Sequence, residues 1–407
     1  MPVQGEKPDL IVIGGGIIGL AVAWRARERG MSVTVLERDR AGGGTSRVAA
    51  GMLAPVSEVE FGRGGEQLLA LGMRSAALWP QFAAELASAS GEHVGLLRTG
   101  TLMVARDADE ARELERQAAF RASLELAARR LRPSQARELE PALAPTIRLA
   151  LELPDDHSVD PRRALAALHG ACALAGVAVR ERTGVERLLG GVERIEGVQV
   201  RGGERLLAGA VVVAAGSWSG ELAAAAGLAG VPVRPVKGQT LRLRDPAGPG
   251  LLRRAIRFEG GYLVPRADGR YVLGATVEER GFDVAPTAGA TYELLRDCGE
   301  LVPGISELEI EELGVGLRPG TPDNVPVVGR GARDGLVWAT GHFRNGILLA
   351  PLTAELVLGV LSAASPADPM LAICDPARFA SAGLDASRIR PGQAPLGSDS
   401  AREAVSL

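Results

Sequence analysis

The chain is short of the residues that build metal centres, disulfide frameworks and nucleic-acid surfaces. It has 407 residues but only three cysteines, Cys172, Cys298 and Cys374, far apart. That spacing excludes a disulfide framework and any Cys-x-x-Cys metal or redox motif. Each cysteine reads as a small buried hydrophobe, and the chain as a cytoplasmic protein. The four histidines (His93, His157, His169, His342) are scattered without metal-ligand spacing, so no metal is expected. A net charge of −3 leaves no basic surplus for nucleic acid or an anionic membrane. No apolar run reaches the roughly 18 residues of a membrane span. The short polar N-terminus predicts no secretory leader. Hydrophobic residues at 46% and a length sufficient for two domains describe an ordinary globular chain.

What the chain does have is glycine at decisive positions. Asp9-Leu-Ile-Val-Ile-Gly14-Gly15-Gly16-Ile17-Ile18-Gly19 places an apolar strand directly before Gly-x-Gly-x-x-Gly, and a helical stretch follows. Gly14 permits a tight turn, Gly16 lets a pyrophosphate approach the main chain, and Gly19 lets the helix pack close to the strand. The helix N-terminus, at Ile17 and Ile18, then offers N–H groups and partial positive charge to phosphates. Ser32–Leu36 is a second strand, and it leads into Glu37 and Arg38. Glu37 lies 23 positions after Gly14, where an acid accepts ribose hydroxyls. These features together predict dinucleotide binding.

Residues 10–36 therefore form a βαβ unit. A loop of small residues follows, Ala41 to Pro55. Residues 66–90 and 108–131 carry helical spacing, the second as a charged surface helix. Asp160 to Gly216 reads as a second α/β block: a helix begins at Pro161 and ends before Gly176. Strands follow at 177–180, 185–189 and 197–201, and then the apolar strand 210–216. From Val231 to Glu312 short strands with turns at Gly260-Gly261 and Asp268-Gly269 predict an antiparallel sheet. Leu336–Gly341 returns to the apolar pattern. The expected architecture is α/β: a discontinuous Rossmann-like nucleotide domain (1–80, 153–230, 315–380) plus an α+β substrate domain (81–152, 231–314). Residues 381–407 are expected to be a loose tail.

Four stretches together resemble the FAD-dependent oxidases of the D-amino-acid oxidase superfamily, glycine oxidases most closely. They are Val12–Gly19, Gly42–Ser46 leading to Ala49–Leu53, Val315–Asp323, and Ala339–Ala350. Pro235-Val-Lys-Gly238 and Gly261–Arg266 also fit. Arg47-Val48 departs from the pattern, and Arg47 is left between solvent and a flavin phosphate. The resemblance implies noncovalent FAD, because the C-terminal flavin loop has no cysteine. It implies oxidation of a small amino acid such as glycine to an imine, then hydrolysis to a 2-oxo acid and ammonia. O2 is reduced to hydrogen peroxide. A homo-oligomer, commonly a tetramer, and a place in making the thiazole half of thiamine are also implied.

By the same resemblance Thr45, Ser46, Ala50, Gly51 and Met52 line the flavin and its phosphates. Val185 meets the adenine through its main chain, and Ala215, Gly216 and Trp218 close over the nucleotide, with a rim position equally open to Trp218. Gly341, His342, Phe343, Arg344, Asn345, Gly346, Ile347 and Leu348 bring N–H groups to the flavin ring. No catalytic side chain is required, since the flavin supplies the chemistry. A substrate carboxylate needs a fixed cationic fork. Arg318 is the first candidate, in a loop above a turn at Pro319-Gly320, with a solvated surface charge as the alternative. Tyr262 can add a hydroxyl, and Arg344 can take the substrate's polar end, with a half-buried sheet aromatic and a structural ion pair as the respective alternatives. Lys237 is open between an ion pair and contact with oxygen or substrate. His342 is open between packing and catalysis. Two other functions compete: a dehydrogenase of the same fold that passes electrons to a carrier, and a flavin-binding scaffold without turnover.

Overall fold

The strand Leu10–Ile13 is apolar at every position, and the structure buries it on both faces. In the computed structural model, which describes residues 7–228, 231–362 and 368–379, it sits inside a six-stranded sheet. The order is Val327–Arg330, Leu336–Thr340, Ala210–Val213, Leu10–Ile13, Val33–Leu36, Ala178–Arg180. All neighbours are parallel except the first pair. Side chains alternate between two cores, as the period of a strand requires. Leu10, Val12, Val33, Val35 and Val212 face the helices Ile17–Glu28, Arg63–Ser90, Pro161–Ala175 and Ala350–Leu361. Ile11, Ile13, Val211 and Val213 face the three-stranded antiparallel sheet of Val185–Gly190, Ile195–Val200 and Arg205–Leu207.

The second α/β block, 160–216, adds to the first sheet. Its helix and two of its strands complete the first sheet, because Pro161–Ala175 packs beside Ile17–Glu28 and both outer strands find parallel partners. Asp160 caps that helix through its side chain, and Gly176 ends it in the left-handed conformation. The helix Arg63–Ser90 runs unbroken across residues 80 and 81. Trp79 and Phe82 both enter the first core, so the expected boundary at that point falls within one packed helix.

The second sheet has eight strands in the order Glu309–Gly320, Arg234–Arg244, Arg270–Gly274, Gly261–Pro265, Ala255–Phe258, Thr101–Ala105, Leu149–Leu153, Arg129–Leu131. It is mixed rather than purely antiparallel, because Ala255–Phe258 runs parallel to Thr101–Ala105. The helix expected over 108–131 stops at Ser123, and Arg129–Leu131 becomes an edge strand on Leu149–Leu153. Tertiary pairing there overrides a helix-favouring composition. One face of the sheet packs Leu241, Leu243, Ile256, Leu263 and Leu273 against the helix Ala288–Leu301. The other face looks toward the strand ends of the first sheet. The expected tail, 381–407, lies outside the described residues.

Candidate active site

The cavity between the sheets measures about 1350 Å3, larger than a drug-sized pocket needs. It opens where the parallel strands end at Ile13, Leu36 and Val213. There Gly14 adopts φ +108°, and a Cβ on it would collide with the Ala214 carbonyl. Gly16 is the N-cap of Ile17–Glu28, with no side-chain cap and no acid in the first turn. The first N–H groups of a helix have no intrahelical partners. Among the described residues, only that of Ile17 is engaged by a side chain, donating to Ser46 Oγ at 3.2 Å. This uncapped end, with a glycine cradle beside it, fits an anionic pyrophosphate.

Glu37 lines the same end, but both its oxygens also hold the turn. They accept from Gly15 N–H at 2.7 Å and Asp39 N–H at 2.9 Å. Beyond it lie Val185, Arg38, Ala215, Gly216 and Trp218, and the Arg38 guanidinium stacks 3.4 Å over the Trp218 ring. Trp218 is half-buried and also stacks on Phe282. Thr45, Ser46, Ala50, Gly51 and Met52 form the adjoining wall. Thr45 exchanges hydrogen bonds with Leu317 at 3.0 and 3.1 Å, which ties this loop to the second sheet. Arg47 is exposed and outside the lining; its carbonyl accepts from Arg242 at 2.6 Å.

Four expected contacts do not reach the cavity. Gly19 stays behind the turn, where a Cβ would strike the Gly14 carbonyl, so its work is close packing. Gly341 sits at φ +74° against Thr321. Asn345 closes a turn by donating its N–H to the His342 carbonyl. Leu348 is buried, and its carbonyl accepts from Ser75 and Trp79. His342, Phe343, Arg344, Gly346 and Ile347 do line the cavity. His342 is buried, its Nε2 lies 2.9 Å from Thr353 Oγ1, and burial pushes its pKa down to about 3. It is a neutral packing residue.

The second sheet contributes one row of paired residues across six strands: Met103, Arg257, Tyr262, Gly274, Thr240, Gly314. Arg318 lies on the same face of its strand as Gly314. It is not in a loop: residues 309–320 form one strand against Arg234–Arg244, and Pro319 and Gly320 are its last two paired positions. The glycines on this face make space. A Cβ on Gly238 would overlap the Arg318 guanidinium, and one on Gly274 would come within 2.7 Å of the Tyr262 hydroxyl. Arg318 donates to the Thr276 carbonyl at 2.9 Å and to the Lys237 carbonyl at 3.4 Å, and its guanidinium lies close enough to the Tyr262 hydroxyl to influence its ionisation. Burial pulls the Arg318 pKa down and pushes the Tyr262 pKa up. An arginine remains protonated nonetheless. Lys237 is taken up by structure: it is buried and binds Asp283 at 2.7 Å and the Ala285 carbonyl at 2.6 Å.

Two residues of this site escaped the sequence reading. Glu58 pairs with Arg257 and with Arg344, the latter at 3.1 Å. Burial opposes its ionisation, yet Arg257, Arg344 and Arg318 overcome this and hold its pKa near 2. Its segment is gripped by two buried charges. Asp156 accepts from the N–H groups of Val56 and Ser57, and Arg121 donates to their carbonyls. The available signal was a lone acid in the otherwise uncharged stretch Val48–Val59. For Arg257 there was only a charge on a strand facing Tyr262, which no local pattern distinguishes from a solvated one.

Residues 9–358 match the family described as FAD dependent oxidoreductase. The glycine oxidase of Geobacillus kaustophilus is 35% identical over 354 residues, covering 86% of this chain and 92% of that one. A solved structure of glycine oxidase from Geobacillus kaustophilus superposes with a TM-score of 0.82 at 34% identity, covering 89% of this chain and 98% of that chain. The bifunctional protein ThiO/ThiG of Trichormus variabilis is 34% identical over 91% of this chain, which spans 55% of that longer protein. The chain belongs to the FAD dependent oxidoreductase family. Its cofactor is FAD, and the uncapped helix, the glycine cradle and the long cavity fit it.

Proposed function

We propose that this chain is a glycine oxidase. It converts glycine and other small amines or D-amino acids, with O2 and water, to a 2-oxo acid, ammonia and hydrogen peroxide. The observation that carries this is the half-buried Arg318 and Tyr262, brought together on a sheet face cleared by Gly238 and Gly274. A guanidinium fork with an adjacent hydroxyl is the recognition set for a carboxylate. Bound FAD supplies the two-electron acceptor for the Cα–H bond. The chain's own groups position the substrate: Arg318 and Tyr262 hold the carboxylate, and Arg344 closes the cavity beside Glu58. Glu58, Tyr262 and Arg318 keep their charge states through neutral pH.

Similarity to the ThiO/ThiG proteins supports a role in supplying the thiazole half of thiamine. Three buried free cysteines support a cytoplasmic location, and the homo-oligomer stays part of the proposal. Among the described residues no helix is long and apolar enough to cross a membrane. The test is to mix the purified yellow protein anaerobically with glycine, sarcosine, D-alanine and D-proline. Bleaching of the flavin band by glycine, with peroxide on admission of air, is the expected result. A band bleached by dithionite but by no amino acid refutes the reading. Bleaching without peroxide assigns a dehydrogenase instead.

A further inference from the structure

One buried cation beside the site takes no part in holding substrate: Arg266. It follows the strand Gly261–Pro265, and its N–H donates to the Arg270 carbonyl at 2.7 Å, closing the hairpin through Asp268-Gly269. Its side chain is only 4% exposed. The guanidinium is not part of the cavity lining; it lies behind the wall formed by Ala50, Gly51 and Met52. Nη2 donates to the Ala50 carbonyl at 2.6 Å, while Nη1 reaches only the adjacent Pro265 carbonyl at 3.3 Å. Nε has no partner among the described residues, and Asp160 stands off at 3.9 Å. Asp160 also caps the helix Pro161–Ala175 and meets Arg270 at 3.4 Å. Burying a guanidinium for one short hydrogen bond is costly. Where that bond falls decides what it can do.

The Ala50 carbonyl and the Gly51 N–H belong to one trans peptide, so they point in opposite directions. With the carbonyl drawn to Arg266 behind the wall, the Gly51 N–H is turned toward the cavity that Gly51 lines. That N–H has no acceptor among the described residues. The following carbonyl, that of Gly51, is fixed as well, accepting from the Val159 N–H at 2.8 Å. Gly51 adopts φ +76°, and a Cβ on it would collide with the Val159 carbonyl. The peptide is therefore held from behind on both sides while its donor stays free. A cation on the carbonyl polarises the peptide and strengthens the N–H as a donor. A fixed donor aimed into a sheltered cavity stabilises negative charge that develops there.

We propose that Arg266 is a positioning residue for bound FAD: it orients and polarises the Ala50–Gly51 peptide and so raises the cofactor's affinity for electrons. Arg266 acts only through that peptide. Negative charge gained by the cofactor on reduction meets a dipole already in place. Arg270 shares Asp160 and pairs with Asp268 but grips no carbonyl of this wall, so it supplies the comparison. The inference goes beyond the glycine oxidase reading, since it needs bound FAD and no amino acid.

The experiment measures the two-electron midpoint potential of the flavin in the holoenzyme, by dithionite titration against a reference dye. The proteins are the wild type, Arg266→Met, Arg266→Lys and Arg270→Met. Arg266→Met is expected to move the reduction equilibrium about tenfold toward oxidised flavin, the lower end for a hydrogen bond to a charged group. That is a potential roughly 30 mV lower for two electrons. Arg266→Lys keeps the charge and a donor, and a smaller lowering is expected. Arg270→Met removes a neighbouring charge and is expected to leave the potential unchanged. The proposal is overturned if Arg266→Met keeps the wild-type potential, whether or not it binds FAD more weakly, as a merely structural contact would. It is also overturned if Arg266→Lys falls as far as Arg266→Met, or if Arg270→Met falls equally, as charge acting at a distance would. Should Arg266→Met not fold or not retain FAD, Arg266→Lys decides: a lowered potential supports the proposal, and the wild-type value overturns it. No substrate enters these titrations, so their failure leaves the glycine oxidase reading standing, and a flavin that glycine cannot bleach leaves this inference standing.

Discussion

At the edge of the six-stranded sheet, the groups offered to the cavity are mostly main-chain groups at strand ends. They are the turn at Gly14–Gly16, the uncapped first turn of Ile17–Glu28, and Ala214–Gly216. On the eight-stranded sheet they are side chains in the middle of strands: Met103, Arg257, Tyr262 and Arg318. The first region needs residues that keep out of the way. The second needs particular chemical groups held at particular rungs. A site made of backbone is recorded in a short contiguous motif, because the turn, the cradle and the helix start are consecutive in the chain. A site made of side chains is recorded across more than 200 positions, from Met103 to Arg318. Only the pairing of six strands brings it together.

The contrast can be broken most severely on the backbone side. Gly14→Ala puts a methyl against the Ala214 carbonyl at a residue with φ +108°. The variant is expected to purify without FAD, and the ratio of flavin to protein absorbance reads this directly. On the side-chain side, Arg318→Ala is expected to retain FAD and lose about a hundredfold or more in kcat/KM for glycine, as when one partner of a buried charge pair is removed. Tyr262→Phe removes one hydroxyl and is expected to cost about tenfold, mostly in KM, as for a hydrogen bond to a charged group. Loss of FAD in these two variants, or full activity, would erase the distinction between the regions.

The smallest effect concerns His342, which belongs to neither binding set. Burial holds its folded pKa at about 3, below the ordinary 6.5. The unfolded chain therefore binds a proton that the folded chain does not, in the window between those values. Its contribution to stability is complete above pH 6.5 and declines as pH falls toward 3. Relative to His342→Gln, the wild type should lose thermal stability over that window and hold a constant difference above it. A constant difference throughout would show that His342 is not kept neutral by its surroundings.

Legibility followed the same division. Gly14, Gly16, Gly19 and the helix after them were readable because a tight turn and close packing each require glycine at a set spacing. Arg318 was readable through its motif, but its setting was not: Val315–Gly320 looks like a turn until its partner strand Arg234–Arg244 is supplied. Arg129–Leu131 carried helix-favouring neighbours, and its strand state came from Leu149–Leu153. Glu58 is a single acid in an uncharged stretch. Its meaning depends on Asp156 and Arg121 gripping the segment about 100 and 65 residues away.

The amino-acid sequence by itself determined the nucleotide motif and the parallel strands of the first sheet, which rest on steric needs or periodicities that act over a few residues; the candidate carboxylate fork came from the resemblance carried by its motif. Only the tertiary structure decided that Thr101–Ala105 pairs in parallel with Ala255–Phe258 in the second sheet. It alone placed Arg257 and Arg318 on either side of Tyr262, buried His342 beside Thr353 and paired Lys237 with Asp283. Those outcomes depend on strand register and on burial. Both are set by contacts between distant segments, and no local pattern contains them.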